Sequence, residues 1–85
     1  MRLRVLYFAR LREALGTAEE ALDLPDGIDT AGALVEWLRR RGGAWAVELG
    51  EGRAWRLAVN QDLAGPDNPL RDGDEVALFP PVTGG

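Results

Sequence analysis

The sequence contains neither cysteine nor histidine. That removes thiol nucleophiles, disulfides, Cys/His metal sites and imidazole acid–base chemistry from the functions open to it. Any sulfur chemistry must use a sulfur atom supplied from outside. Lysine is missing as well. All 10 basic side chains are arginine, so a lysine-bearing phosphate loop cannot be built, and no side-chain amine can accept an isopeptide bond. No apolar run approaches the ~20 residues of a membrane span, and no secretory signal pattern is visible. The expectation is a cytoplasmic protein with no membrane contact. A net charge of −4 argues against a nucleic-acid partner, which normally meets a basic face. The one basic run, Arg39 to Arg41, reads as a solvated helix end, where cations are favourable.

What is present fits one small domain. The chain has 85 residues, 46% of them hydrophobic. That supports a modest core without a disulfide or metal staple. Arg2 to Phe8 reads as a strand with Leu3, Val5 and Tyr7 on one face and Leu6 and Phe8 on the other. Ala9 to Leu15 is a short helix closed by Gly16, and Ala18 to Leu24 is a weakly alternating strand. Pro25-Asp26-Gly27 makes a turn. The clearest helix runs from Thr30 to Arg41, capped by Thr30 or Asp29, with Ala31, Leu34, Val35 and Leu38 as its apolar stripe. Gly42-Gly43 ends it, and Ala44 to Leu49 adds a turn or two. Trp55 to Asn60 is a third strand. Gln61 to Pro69 reads as irregular, and the Asp72-Gly73 turn leads into a last strand, Glu75 to Phe79. One helix over one sheet gives a two-layer α+β fold. We expect the first and last strands to be parallel neighbours at its centre.

Several groupings have ordinary explanations. Asp72, Asp74 and Glu75 lack the ligand spacing of a calcium loop, so no metal site is expected, and the cluster suits a basic partner better. Trp37, Trp45 and Trp55 lie on different elements and read as core packing around the main helix, not as a base-stacking platform. Strand parity turns Val76 and Leu78 to the core and Ala77 and Phe79 outward. If the end strands pair, Phe8 and Phe79 form one apolar patch, and such a patch marks a partner site.

The end of the chain is unusual. After Phe79 the sequence is "PPVTGG". Pro80 and Pro81 lock their φ angles and favour extension. Val82 and Thr83 are β-branched and favour it too. Gly84 and Gly85 carry no Cβ, fit a narrow channel and leave the terminal carbonyl unhindered. No charged side chain lies between Pro80 and Gly85. A frayed terminus is usually polar and charged. This one suits a partner enzyme that threads the tail and activates its carboxylate. The expected division is a domain over residues 1–79 and an extended tail over 80–85.

Three stretches, "VLYFARLREALG" (Val5 to Gly16), "AVNQDL" (Ala58 to Leu63) and "NPLRDGDEVALFPPVTGG" (Asn68 to Gly85), resemble the small, sulfur-carrying subunits of molybdopterin synthase. These are ubiquitin-like proteins with a C-terminal Gly-Gly. Leu78 departs from the family, where phenylalanine is common, but keeps the apolar character. The resemblance implies a β-grasp fold, a mixed sheet of four to five strands against one main helix. It implies that a ubiquitin-activating-like adenylyltransferase uses ATP to adenylate the Gly85 carboxylate. A persulfide donor then leaves a thiocarboxylate, with Gly84 part of the reacting end. The sulfur passes to cyclic pyranopterin monophosphate in the large catalytic subunit, two small and two large subunits forming the synthase. No cofactor is bound by the carrier itself, which is a non-catalytic subunit and sulfur donor. The family and strand parity together assign Phe8, Leu63 and Phe79 to the docking face, with Arg12 and Asp74 as rim contacts. Carriers for thiamine thiazole or tRNA thiolation share the tail chemistry. A ubiquitin-like protein modifier and an interaction module with an inert tail are the other readings.

Overall fold

The computed structural model describes residues 1–81 of the chain. Strand β1 (Arg2–Tyr7) alternates as its sequence does, and Leu3, Val5 and Tyr7 are fully buried. It lies between β2 (Glu19–Asp23), antiparallel, and β5 (Glu75–Phe79), parallel. The parallel register sets Val5 opposite Val76 and Tyr7 opposite Leu78. Strand β3 (Arg56–Val59) runs antiparallel along the other side of β5, and β4 (Asp62–Ala64) completes a five-stranded mixed sheet of order β2-β1-β5-β3-β4. A parallel pair needs a long crossover. Here that crossover carries nearly the whole protein, including helices α1 (Ala9–Leu15), α2 (Ala31–Arg39) and α3 (Gly43–Glu48).

Helix α2 buries its predicted stripe, Ala31, Leu34, Val35 and Leu38, against the sheet. Its first N–H groups, which have no partner inside the helix, are satisfied in turn. Ala31 N donates to Asn68 O (2.9 Å), Gly32 N to Pro66 O (2.8 Å) and Ala33 N to Thr30 Oγ1 (3.2 Å). The loop between β4 and β5 therefore serves as a second cap beside Thr30. Gly32 permits it: a Cβ there would sit 3.0 Å from Pro66 Cβ and 3.1 Å from Pro66 O.

Two expectations need correction. The stretch 61–69 is not wholly irregular, because Asp62–Ala64 forms β4. Val59 pairs with Asp62, leaving Asn60 and Gln61 as a two-residue hairpin turn with φ of 50° and 72°. Left-handed values at both positions suit the twist of a tight hairpin. Asparagine tolerates that region, but glutamine gives no such signal. The basic run is not simply a solvated helix end either. Arg39 pairs with Glu36 on the surface, whereas Arg41 folds back over the rings of Trp37 and Trp45, at 5.3 and 4.4 Å from their centroids.

Gly32→Val should push Pro66 off the start of α2 and cost on the order of 1–3 kcal/mol. The urea midpoint measures it, and an unchanged midpoint would remove the loop's role as a cap.

Candidate functional site

The outer face of the sheet, away from the helices, carries an apolar row. The register aligns Leu6 on β1, Ala77 on β5, Ala58 on β3 and Leu63 on β4. Leu63 is 78% exposed. One step further along, Phe8 N donates to Leu78 O (3.1 Å), which sets Phe8 alongside Phe79 at the end of the parallel pair. Phe8 is 44% exposed and Phe79 is half-buried. The structure thus brings Phe8, Phe79 and Leu63 to one face, at the point where Pro80 and Pro81 leave the sheet. A groove of about 460 Å³, lined by Arg56, Leu57, Leu63, Ala64 and Phe79, runs beside it. Val82, Thr83, Gly84 and Gly85 lie outside the described residues.

The chain turns sharply here. Phe8 is still extended (φ −125°, ψ 154°), and Ala9 takes φ 52° as α1 begins. A left-handed conformation costs a non-glycine residue about 1–2 kcal/mol, so this corner is held by its surroundings. Directly behind Phe8, Tyr7 donates its hydroxyl to Glu20 Oε2 (2.7 Å) and meets Trp45 edge-on with ring centroids 5.3 Å apart. Arg41 closes the group with two hydrogen bonds to the Glu20 carboxylate, 2.9 and 3.0 Å long. Burial opposes ionisation of Glu20, but the hydrogen bonds from Arg41 and Tyr7 outweigh it and hold the carboxyl below its ordinary range. Burial, aided by the bond to Glu20, pushes the Tyr7 hydroxyl far up. At neutral pH the group is therefore a fixed ion pair with a neutral phenol, and it ties β1, β2 and the α2–α3 junction together. No sequence pattern signals it, since its members are spread over Tyr7, Glu20, Arg41 and Trp45. All three tryptophans pack against the core, as their positions suggested.

The acidic turn lies elsewhere. Asp74 stands before the first residue of β5, roughly 16 Å of strand from Phe79 at 3.3 Å per residue. It accepts from Asn60 Nδ2 (3.0 Å) and from the N–H of Arg71 (2.8 Å), and these bonds hold its carboxyl below the usual range. Asp72 accepts from the N–H of Arg2 (2.7 Å). These carboxylates pin the turn, and Asp74 is not beside the Phe8–Phe79 patch. Arg12 is exposed on α1, the element that follows Phe8. Among the described residues no group of Asp and Glu converges as a metal site, and no helix is long and apolar enough to cross a membrane.

A mixed sheet with parallel end strands at its centre, wrapped on one main helix, is the β-grasp of ubiquitin-like proteins. The ThiS family profile matches residues 5–85. The molybdopterin synthase sulfur carrier subunit of Escherichia coli is 47% identical over 98% of this chain and 99% of its own. The crystal structure of SAMP1, small archaeal modifier protein 1, from Haloferax volcanii superposes with a TM-score of 0.81 at 29% identity over the whole of both chains. A chain of the protein–protein complex of subunits 1 and 2 of the molybdopterin-converting factor from Helicobacter pylori gives a TM-score of 0.70 at 26% identity, again over both whole chains. The chain belongs to the ThiS family, on the branch of the molybdopterin synthase sulfur carrier subunits.

Glu20→Gln tests the partly exposed Arg41–Glu20 ion pair. A carboxyl depressed in the folded state stabilises above its unfolded pKa and loses that contribution as pH falls through the folded value. Wild type should therefore lose more stability than Glu20→Gln between pH 7 and the acid range below the ordinary 4.5 of a glutamate. Urea midpoints across that range measure the difference. Parallel curves would show that Glu20 carries no linkage.

Proposed function

We propose that this protein is the sulfur carrier of a molybdopterin synthase: its Gly85 carboxylate is adenylated, converted to a thiocarboxylate, and delivered to a large catalytic subunit. The observation that carries this reading is the end-to-end likeness to the Escherichia coli carrier, 47% identical over 98% of this chain. The exit of Pro80 and Pro81 beside an apolar patch fits it.

The chemistry asks little of the carrier. A carboxylate is a poor electrophile because its oxide is a bad leaving group. In the first step a Gly85 oxygen attacks the α-phosphorus of ATP on a ubiquitin-activating-like enzyme, and pyrophosphate leaves. A persulfide sulfur then attacks the acyl carbon and AMP leaves. Reductive cleavage of the sulfur–sulfur bond, by a thiol, frees the thiocarboxylate. In the large subunit the sulfur passes to cyclic pyranopterin monophosphate. ATP is the activating enzyme's substrate and the carrier binds no cofactor. The carrier supplies a stiff stalk (Pro80, Pro81, Val82, Thr83), an unhindered end (Gly84, Gly85) and a docking face of Phe8, Leu63 and Phe79, with Arg12 at its rim. Residues 1–79 form the domain and 80–85 the tail. The setting is the cytoplasm, and the assembly has two carriers on one large-subunit dimer.

Asp74 is set aside as a rim contact, because its carboxylate is engaged by Asn60 and Arg71 at the far end of β5. A protein-modifier role is the second reading, favoured by the likeness to SAMP1. It would yield amide adducts with other proteins that survive thiol reagents.

Intact mass after incubation with ATP, the activating enzyme and a persulfide source should show one oxygen exchanged for one sulfur at Gly85. Deleting Gly85 should abolish this and leave the fold unchanged. No mass change with an enzyme competent on another carrier would reject the carrier role. Phe79→Asp should weaken binding to both the activating enzyme and the large subunit by about 2 kcal/mol or more, the loss expected at an interface hot spot. Unchanged titrations would reject the docking face.

A further inference from the structure

Arg56 opens β3 directly opposite Phe79 in the antiparallel register, and it lines the same groove as Leu63. It therefore stands inside the apolar patch, between the β5 and β4 contributions to it. Its side chain is exposed and has no hydrogen bond or ion pair among the described residues. The nearby arginines are little better neutralised. Arg10, on α1 just past Phe8, and Arg53, three residues before Arg56, share one carboxylate, Glu48, each at 3.9 Å. Glu48 is 14% exposed, and its Oε1 makes no hydrogen bond. In a protein of net charge −4, the end of the sheet from which the tail leaves is thus rimmed with guanidinium groups.

Docking of Phe79 and Leu63 on any partner strips water from Arg56 as well. A desolvated guanidinium without a counter-charge is costly, whereas one paired with a carboxylate is strongly held and geometrically specific. We infer that Arg56 is a specificity-determining contact, backed by Arg10 and Arg53, which selects a large-subunit surface carrying a carboxylate at the edge of the socket that receives Phe79 and Leu63. The inference rests on the sulfur-carrier reading and adds to it the chemistry of the matching surface. Apolar docking supplies adhesion, and the guanidinium fixes register, so that the tail enters in one orientation.

Binding of the purified large subunit to wild type, Arg56→Gln, Arg56→Glu, Phe79→Asp and Arg40→Glu tests this by calorimetry at low and high salt. Arg40 is exposed at the end of α2 and serves as the surface control. Arg56→Gln should weaken binding roughly 30-fold or more and Arg56→Glu further. Binding of Arg56→Gln should also depend less on salt than wild type, and Arg40→Glu should bind normally. Reversing the matching carboxylate on the large subunit should restore binding to Arg56→Glu. Equal urea midpoints establish that each variant folds. If both Arg56 variants bind as wild type while Phe79→Asp fails, the inference is overturned and the docking face stands. If Phe79→Asp also binds normally, the docking face falls, and the inference falls with it.

Discussion

The parallel pairing of β1 with β5 is the constraint on which the rest depends. It joins residues about as far apart in sequence as the chain allows: Arg2 N reaches Asp72 Oδ1 across 70 positions. Val5, Tyr7, Val76 and Leu78 fill the centre of the core from these two strands alone. The inward faces of the pair give helix α2 its floor, and the outward faces carry Leu6, Ala77, Phe8 and Phe79. The direction of the pair decides where the tail leaves. Because β1 and β5 point the same way, Phe8 and Phe79 finish side by side, and Pro80 starts at an apolar edge and not beside the acidic turn. An antiparallel pair would have separated the two phenylalanines by the length of the strand.

The carboxylates fall into place around that pair. Asp72 and Asp74 bond to backbone N–H groups at the entry to β5, and Glu75 N–H returns a bond to Asn60 Oδ1 (3.0 Å). A charged acceptor on a backbone donor is stronger than a neutral one, so the turn fixes the register from which Phe79 inherits its position. At the other end, Arg41 and Glu20 hold the Tyr7 side chain one residue before Phe8. Each end of the central pair is thus pinned by a polar cluster, and Phe8 and Phe79 follow directly after the second.

Much of this was legible because the periods were clear. Leu3-Val5-Tyr7 and Val76-Leu78 alternate without interruption, and Ala31, Leu34, Val35 and Leu38 repeat at helical spacing. These elements, their faces and the outward turn of Phe8 and Phe79 follow from spacing alone. The hairpin at Asn60-Gln61 did not, since the sign of φ at Gln61 is set by the sheet and not by its own preference. Leu63 came from the resemblance. In a three-residue edge strand it shows no alternation, and its exposure follows from the register with Ala58. Arg41 misled for another reason. Its run looks like a solvated helix end, and only the tertiary fold brings two indole rings and Glu20 to it. Arg56 carried no signal at all. A lone arginine at a strand start is unremarkable until the register sets Phe79 across from it.

Placing chemistry at one end and recognition on one face explains how so small a protein with no cysteine, histidine or lysine takes part in sulfur transfer. A catalytic site needs a preorganised pocket with groups of tuned acidity. Tyr7, held away from its ordinary value in the core, and Glu20, held away from its own at the core's margin, are engaged with each other. A carrier needs an electrophilic carbon that others activate, and a rigid mount that presents it identically to each partner. Rigidity here comes from the central pair, whose two strands place Phe8 beside Phe79 and lead into Pro80. Any tilt of β5 would move Phe79 and Pro80 together. The absence of lysine gains a meaning in this setting. An acyl adenylate or thiocarboxylate is open to attack by amines, and a carrier whose side chains include none cannot be acylated there by a second activated copy.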